Sequence, residues 1–503
     1  MALTRRTFLA GSAAAGLGAL MGPSRQPWAQ TPEGQPLRIP ALIDARAHGQ
    51  SVALTAQAGR TAFFPGLPGP TIGYNGSYLG PTLRLYDGDE VEVAVTNALD
   101  RIVTTHWHGL LIPATADGGP HQPIRPGTTW RPTLSVRQPA ATLWYHSHAH
   151  GSTAEQVYRG LAGMLLITDA AERSLGLPSE YGVDDLPLLL QDRVFDRNGA
   201  LVYPRTPQAR MHGVRGPVLL VNGTPNAVAR VPARLVRLRL VNGANARIFH
   251  LSFDDGRVFH RIAGDAGLLD RPMEHRSLRL APGERAEVLA DFSNGRTVAL
   301  MTAPDRNGPM GRMGGMMGGG PMLDGPAPVL RFEPDAAGGA AGAVPERLVS
   351  RPRPDPARAV RRRRIVLTMG MGGMGPGMMG PGTGPGMMGR GMAGMMAPSI
   401  DGRPFAMDRI DARVGLGDTE IWEVSGQMMA HPFHIHGVHF EVLSRNGAAP
   451  GPEDRGLKDT VLVQDPVELL VRFTRPADRA PFVYHCHILE HEDAGMMAQY
   501  VTV

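Results

Sequence analysis

Four short stretches of this 503-residue chain each carry a His-x-His pair: "HWHG" (106–109), "YHSHAHG" (145–151), "HPFHIHG" (431–437) and "HCHILEH" (485–491). Residues two apart on a β-strand face the same way, so each pair aims two imidazoles at one side of a sheet. One such pair says little, because histidine also serves as an ordinary polar strand residue. Four pairs, two in the first part of the chain and two in the last, call for a fold that brings distant segments together around a metal cluster. Eight ring nitrogens would then converge on it.

The only cysteine, Cys486, stands between His485 and His487. Strand alternation turns its sulfur to the face opposite the two imidazoles, so one strand joins a thiolate site to an imidazole site. With a single cysteine no internal disulfide can form, and the residue is a free thiol or a ligand. His491 follows it by five residues and Met496 by ten. Two histidines, a cysteine and a weak axial methionine describe a blue-copper electron-transfer centre. His431, standing outside the His434/His436 pair, is the natural second histidine.

Elsewhere the chain runs in short alternating apolar stretches punctuated by Gly, Pro, Asn and Asp. "GDEVEVAVTN" (88–97) places Val91, Val93 and Val95 on one face and Glu92 on the other, the mark of a half-buried strand. "ARLVRLRLVNG" (233–243), "ERAEVLADF" (284–292) and "VELLVRF" (467–473) repeat it. The pattern predicts an all-β chain of sandwiches or barrels. Three blocks stand out, 45–170, 180–335 and 360–503, in keeping with a length too great for one core. The run Arg361 to Arg364 reads as a solvated linker.

The N-terminus, "MALTRRTFLAGSAAAGLGALMGPSRQPWAQ", has Arg5 and Arg6 before an apolar run from Phe8 to Met21 and a Pro-rich exit. Residues 1–30 resemble a twin-arginine (Tat) export signal, and the run is short of the ~20 residues that span a bilayer. Cleavage near Ala29 would lower the formal charge from +5 to +2. That excludes a charge-based case for nucleic-acid binding. Every basic residue in the Lys+Arg total except Lys458 is arginine.

The four motifs, with "GYNGSYLGPTLR" (73–84) and "LAPGERAEVLADF" (280–292), resemble the multicopper oxidases, the family of laccases, ascorbate oxidase and bacterial cuprous oxidases. The resemblance spans nearly all of the chain after the export signal. It implies three cupredoxin-like Greek-key β-sandwich or barrel domains and four copper ions. His431, Cys486, His491 and Met496 would hold the type 1 copper. His106 and His434 would hold the type 2 copper, and His108, His146, His148, His436, His485 and His487 the type 3 pair. Four one-electron oxidations would be coupled to reduction of dioxygen to water, with electrons passing through Cys486. Asp117, in "ADGGP", and Glu492 match acids that serve protons to the cluster. Asp117 also suits a simple turn aspartate before two glycines. The other eight histidines show no paired spacing with a matching partner, although His150 continues the alternation of its triplet.

Fifteen of the 26 methionines fall in two Gly/Met-rich tracts, 306–323 and 369–396. Such composition cannot build a packed core. Thioethers suit Cu(I), and the density resembles the methionine-rich segment of bacterial cuprous oxidases. Met369, Met374 and Met429 are the candidate substrate ligands. Gln427 stands where cuprous oxidases place an aspartate, and 369–396 holds no acid, so phenols and aromatic amines stay open as donors beside Cu(I). The expectation is an exported, monomeric oxidase of copper tolerance, with dioxygen and small reductants as its partners. A copper nitrite reductase would not need eight paired cluster histidines. A periplasmic copper-sequestering protein on an oxidase scaffold is the alternative from a different class.

Overall fold

The computed structural model describes residues 34–307, 323, 325–336, 342–351, 354–369 and 397–503. The export segment expected over 1–30, Met374 and nearly all of both methionine-rich tracts lie outside the described residues. Among the described residues no helix is long and apolar enough to cross a membrane.

The alternating pattern becomes strand as expected. In the strand Glu90–Asn97, Val91, Val93 and Val95 are buried while Glu90 and Glu92 are exposed. The strands form six sheets that close in pairs over three apolar cores. The first core, with Leu54, Leu85, Val93, Leu143 and Ile167, lies between two five-stranded sheets. The second, with Leu188, Leu238, Leu251 and Val288, lies between a six- and a seven-stranded sheet. The third, with Ile365, Trp422, Phe433, Leu469 and Tyr484, again lies between two five-stranded sheets. This is the all-β, cupredoxin-like architecture. The strand Gln35–Pro36 pairs in parallel with Ala227–Val231, so the start of the described chain joins the middle block's sheet.

Two sequence expectations need correction. Arg361 to Arg364 is not a linker: it begins the strand Arg361–Thr368, hydrogen-bonded in parallel to Thr419–Gly426. The ladder holds the backbone extended, and two of the arginines are paired besides, Arg363 with Glu420 at 2.9 Å and Arg362 with Glu468 at 2.5 Å. Nor is the strand Arg285–Asp291 half exposed, being buried up to Asp291, and the strand Leu235–Asn242 is buried along its whole length. Its charged face meets the first block. Arg239 reaches Asp185 at 2.6 Å, Arg237 reaches Glu172 at 2.6 Å and also pairs with Glu287, and Thr142 donates to Glu287 at 2.7 Å. Burial works against charge on Glu287, yet Arg237 and Arg239 hold its carboxyl down to about 2. Buried charges persist only when paired in this way.

The four His-x-His motifs begin on two strand pairs. His106–His108 runs antiparallel to Ala141–His146, with His106 opposite His146 and His108 opposite Trp144. His431–Ile435 runs antiparallel to Phe482–Cys486, with His434 opposite His485 and Phe433 opposite Cys486. The first pair belongs to the first block and the second to the third. Their ends meet.

Candidate metal centre

All eight paired histidines are buried at 1% exposure or less, in one group. The ring of His106 stacks on His436 with centroids 3.7 Å apart, and His108 stacks on His434 at 3.8 Å. His148 Nε2 lies 3.2 Å from His485 Nε2, and His436 Nε2 lies 3.2 Å from the same atom. Donor atoms of three histidine sets fall within 4.8 Å of one another: His106/His434/His436, His106/His108/His146 and His148/His436/His485. His487 joins them, with its centroid 5.1 Å from His108 and 5.5 Å from His146.

The outward nitrogens are tied. His106 Nδ1 donates to the Asp117 carbonyl at 3.0 Å, His146 Nδ1 to the Ser147 carbonyl at 2.8 Å and His434 Nδ1 to the Asp459 carbonyl at 2.8 Å. His485 Nδ1 donates to the Cys486 carbonyl at 3.0 Å and His436 Nδ1 to Asp117 Oδ2 at 2.7 Å. His108 is reversed, giving Nε2 to Asp459 Oδ1 at 3.0 Å. Such partners fix the tautomer and aim the other nitrogen inward, as they do for ligating histidines. The inward nitrogens of His106, His108, His146, His434 and His487 have no hydrogen-bond partner at all. Burial lowers the pKa of His108, His146, His148, His436, His485 and His487 well below 6.5, so the rings are neutral with lone pairs available. Orphaned buried lone pairs are costly unless a cation takes them. The donor set therefore fits copper, for which imidazole is a suitable ligand.

Next to it lies a second group. Cys486 Sγ is 3.4 Å from His431 Nδ1 and 3.6 Å from His491 Nδ1. The far nitrogens are held by backbone, His431 Nε2 on the Gln427 carbonyl at 3.1 Å and His491 Nε2 on the Met211 carbonyl at 3.0 Å. Burial lowers His431 to about 4 and His491 to about 3, and pushes the Cys486 thiol up. A thiol so buried ionises only when a cation replaces its proton. Met496 is fully buried in the same core as Cys486, and its carbonyl accepts from Cys486 N at 3.1 Å.

The acids named from the sequence both touch the histidines. Asp117 Oδ2 also lies 3.3 Å from His106 Nδ1, and Oδ1 is buried without a partner. Gly118 has φ +79, and a Cβ there would stand 1.7 Å from the Thr105 carbonyl oxygen, so the turn that delivers Asp117 needs glycine. Glu492 lies 3.3 Å from both His148 Nδ1 and His485 Nδ1, and burial with Asp493 beside it raises its pKa well above the carboxylate range.

Sequence reasoning missed Asp459, which serves both His108 and His434 and is clasped by Arg285 at 2.6 Å. Burial alone would raise its pKa, but Arg285 holds the carboxyl well below the usual range. Its only sequence signal was a charge, beside the lone lysine, leading into an apolar run. Met369 and Met429 are buried in the third core, and Leu367 lies opposite Gly426 in the paired strands that lead to them. His150 is outside the group, its ring against Phe405 at 5.1 Å. Among the described residues none of the close donor groups includes a middle-block histidine.

Comparison with known proteins agrees with this geometry. Multicopper oxidase family models match residues 56–172 and 383–503. The chain is 37% identical to the cell division protein FtsP of Escherichia coli K12 over 99% of its own length and 98% of the relative's. Among solved structures, the laccase-like multicopper oxidase CueO from Ochrobactrum sp. superposes with a TM-score of 0.81 at 41% identity, covering 93% of this chain and all of that one. The Campylobacter jejuni multicopper oxidase, a metallo-oxidase, superposes at 0.79 with 28% identity, covering 94% and 96%. From the converging imidazoles, the thiolate site beside them and likeness over nearly its whole length, the chain belongs to the multicopper oxidase family.

Proposed function

We propose that this chain is an exported oxidase that holds four copper ions and passes electrons from small reductants to dioxygen. His431, Cys486, His491 and Met496 would hold one ion, His106 and His434 a second, and His108, His146, His148, His436, His485 and His487 a pair. The observation that carries this is the set of buried imidazole nitrogens without a hydrogen-bond partner, on His106, His108, His146, His434 and His487, within one group of histidines. Bound there, copper supplies one-electron redox chemistry and binds and reduces oxygen.

The chain's own residues do the rest. Cys486 is covalently contiguous with His485 and His487, giving the shortest path between the two groups. The amide of Ile488 donates to Cys486 Sγ at 3.4 Å, a contact that tunes a thiolate site. Glu492 and Asp117, one against each side of the histidine group, are placed to hold protons near it. Organic donors or Cu(I) would approach the edges of His431 and His491, with Met369, Met374 and Met429 as soft ligands for Cu(I). Residues 1–30 would direct export. Changing Arg5 and Arg6 to lysine should retain the protein in the cytoplasm, and unchanged fractionation would refute the signal.

The test is oxygen uptake by the copper-loaded protein with Cu(I), then a phenol, as sole reductant. Uptake with either supports the oxidase and names its donor. The likeness to relatives named cell division protein FtsP favours a second reading, a role in division without turnover. A protein that binds copper or none, consumes no oxygen and gathers at the division site would establish that reading instead.

A further inference from the structure

The middle block contributes no histidine to the site, yet one of its side chains reaches it from behind. Arg285, on the strand Arg285–Asp291, has no exposed side-chain surface, and its guanidinium is bonded on every side. Nε donates to the Thr142 carbonyl of the first block at 3.2 Å. Nη1 donates to the Gly283 carbonyl at 3.1 Å and Nη2 to the Asp265 carbonyl at 2.7 Å, both in the middle block. The remaining donors form a parallel fork on Asp459 of the third block, each arm 2.6 Å long. Such a fork fixes a carboxylate in angle as well as position. One side chain thus ties three blocks to one carboxylate.

Asp459 serves two of the inward-facing imidazoles, one through its carboxylate and one through its backbone carbonyl. Asp459 Oδ1 accepts from His108 Nε2 at 3.0 Å and from Thr460 Oγ1 at 2.9 Å, while the Asp459 carbonyl accepts from His434 Nδ1 at 2.8 Å. Room for the fork comes from the glycine that closes "HWHG". Gly109 has φ +86, and a Cβ there would stand 2.5 Å from Arg285 Nη2 and 2.7 Å from Asp459 Oδ2. Lys458, the lone lysine, anchors the residue before Asp459 by reaching Asp265 at 3.1 Å and Glu284 at 3.2 Å.

We propose that Arg285 is a positioning residue for the histidine centre: by holding the Asp459 carboxylate it sets His108 with Nδ1 inward, and so makes the centre depend on the docked middle block. The proposal rests on the copper reading above. Removing the guanidinium leaves Asp459 a buried anion without its counter-charge and without the fork that fixes its angle. His108 then loses the closer of its two acceptors, leaving Thr460 Oγ1 at 3.2 Å. The centre built on Cys486 shares none of these contacts and should be spared.

The test measures copper per chain, the visible absorption of thiolate-bound copper and the electron paramagnetic resonance of the remaining copper, in the parent and three variants. Arg285→Met should weaken copper at the histidine centre by about 10–100-fold while the thiolate absorption per chain is kept. Arg285→Lys, which keeps charge without the fork, should fall between. Arg285→Met/Asp459→Leu leaves no unpaired buried charge and guards against misfolding. It should melt as the parent does and still lack the histidine-centre signal. A full copper complement with an unchanged spectrum in Arg285→Met overturns the proposal, as does recovery of the centre in the double variant. Equal loss at both centres in a folded Arg285→Lys protein also overturns it. A parent chain that takes up no copper overturns the copper reading and this proposal together, and that result is read before any variant is made.

Discussion

His436 Nε2 and His485 Nε2 face each other across 3.2 Å, and neither carries a proton. The protons sit on the opposite nitrogens, given to Asp117 Oδ2 and to the Cys486 carbonyl. Two lone pairs at that distance repel, and with the orphaned nitrogens around them they make the metal-free state costly. Copper should therefore stabilise the folded chain strongly, by about 4 kcal/mol when free copper is a thousandfold above its dissociation constant. Thermal melts with and without copper check this. An unchanged melting temperature would mean that the nitrogens do not act as ligands.

Cys486→Ser should remove the blue colour and stop turnover on every reductant. The hydroxyl matches the thiol in shape but is a poor soft ligand. Turnover that survives the change would sink Cys486 as the electron path.

Deleting 370–396 should lower oxidation of Cu(I) and spare or raise that of bulky phenols. Met369 is kept because it is buried in the third core. Steady-state rates on both donors give the answer; an equal change in both would make the tract structural.

Glu287→Gln should destabilise the chain by about 3–5 kcal/mol, since it removes one partner from a buried ionic lattice. Glu287 answers Arg237 and Arg239 together, and Arg237 in turn holds Glu172 on the helix Ala170–Ser174 between the first two blocks. Chemical denaturation measures the loss, and a cost under about 1 kcal/mol would place the lattice with exposed pairs.

His439, whose Nε2 donates to the Gly109 carbonyl at 3.0 Å, is lowered by burial from 6.5 to about 4. The unfolded chain takes up this proton first. Its contribution is therefore full above about 6.5 and is lost as pH falls towards 4. His439→Gln should flatten that part of the pH–stability curve of the metal-free protein; an unaltered slope would refute it.

The period-two pattern and the His-x-His spacing made the β-class, the twelve candidate ligands and the adjacency of thiolate and imidazole sites legible without coordinates. Both rest on local geometry: alternation decides which side chains share a face, and a cysteine between two histidines must point away from them. Three features lay beyond that reach. Arg237 and Arg239 read as a solvent face because a pattern does not say what covers it, and only docking of the first block buries them. Asp459 and Arg285, far apart in sequence, meet at 2.6 Å through the packing of separate sheets. Which nitrogen faces inward depended on the acceptor behind the ring: for His146 and His485 it is the carbonyl of the next residue, whereas for His436 and His108 it is Asp117 and Asp459 of another block. Which of the paired histidines share a strand face, and that Cys486 points away from its neighbours, could be read locally, because both follow from the alternation of adjacent residues. How His108 and His436 are oriented, and that Arg285 braces Asp459, followed only from the packing of the blocks, because those partners come from other parts of the chain.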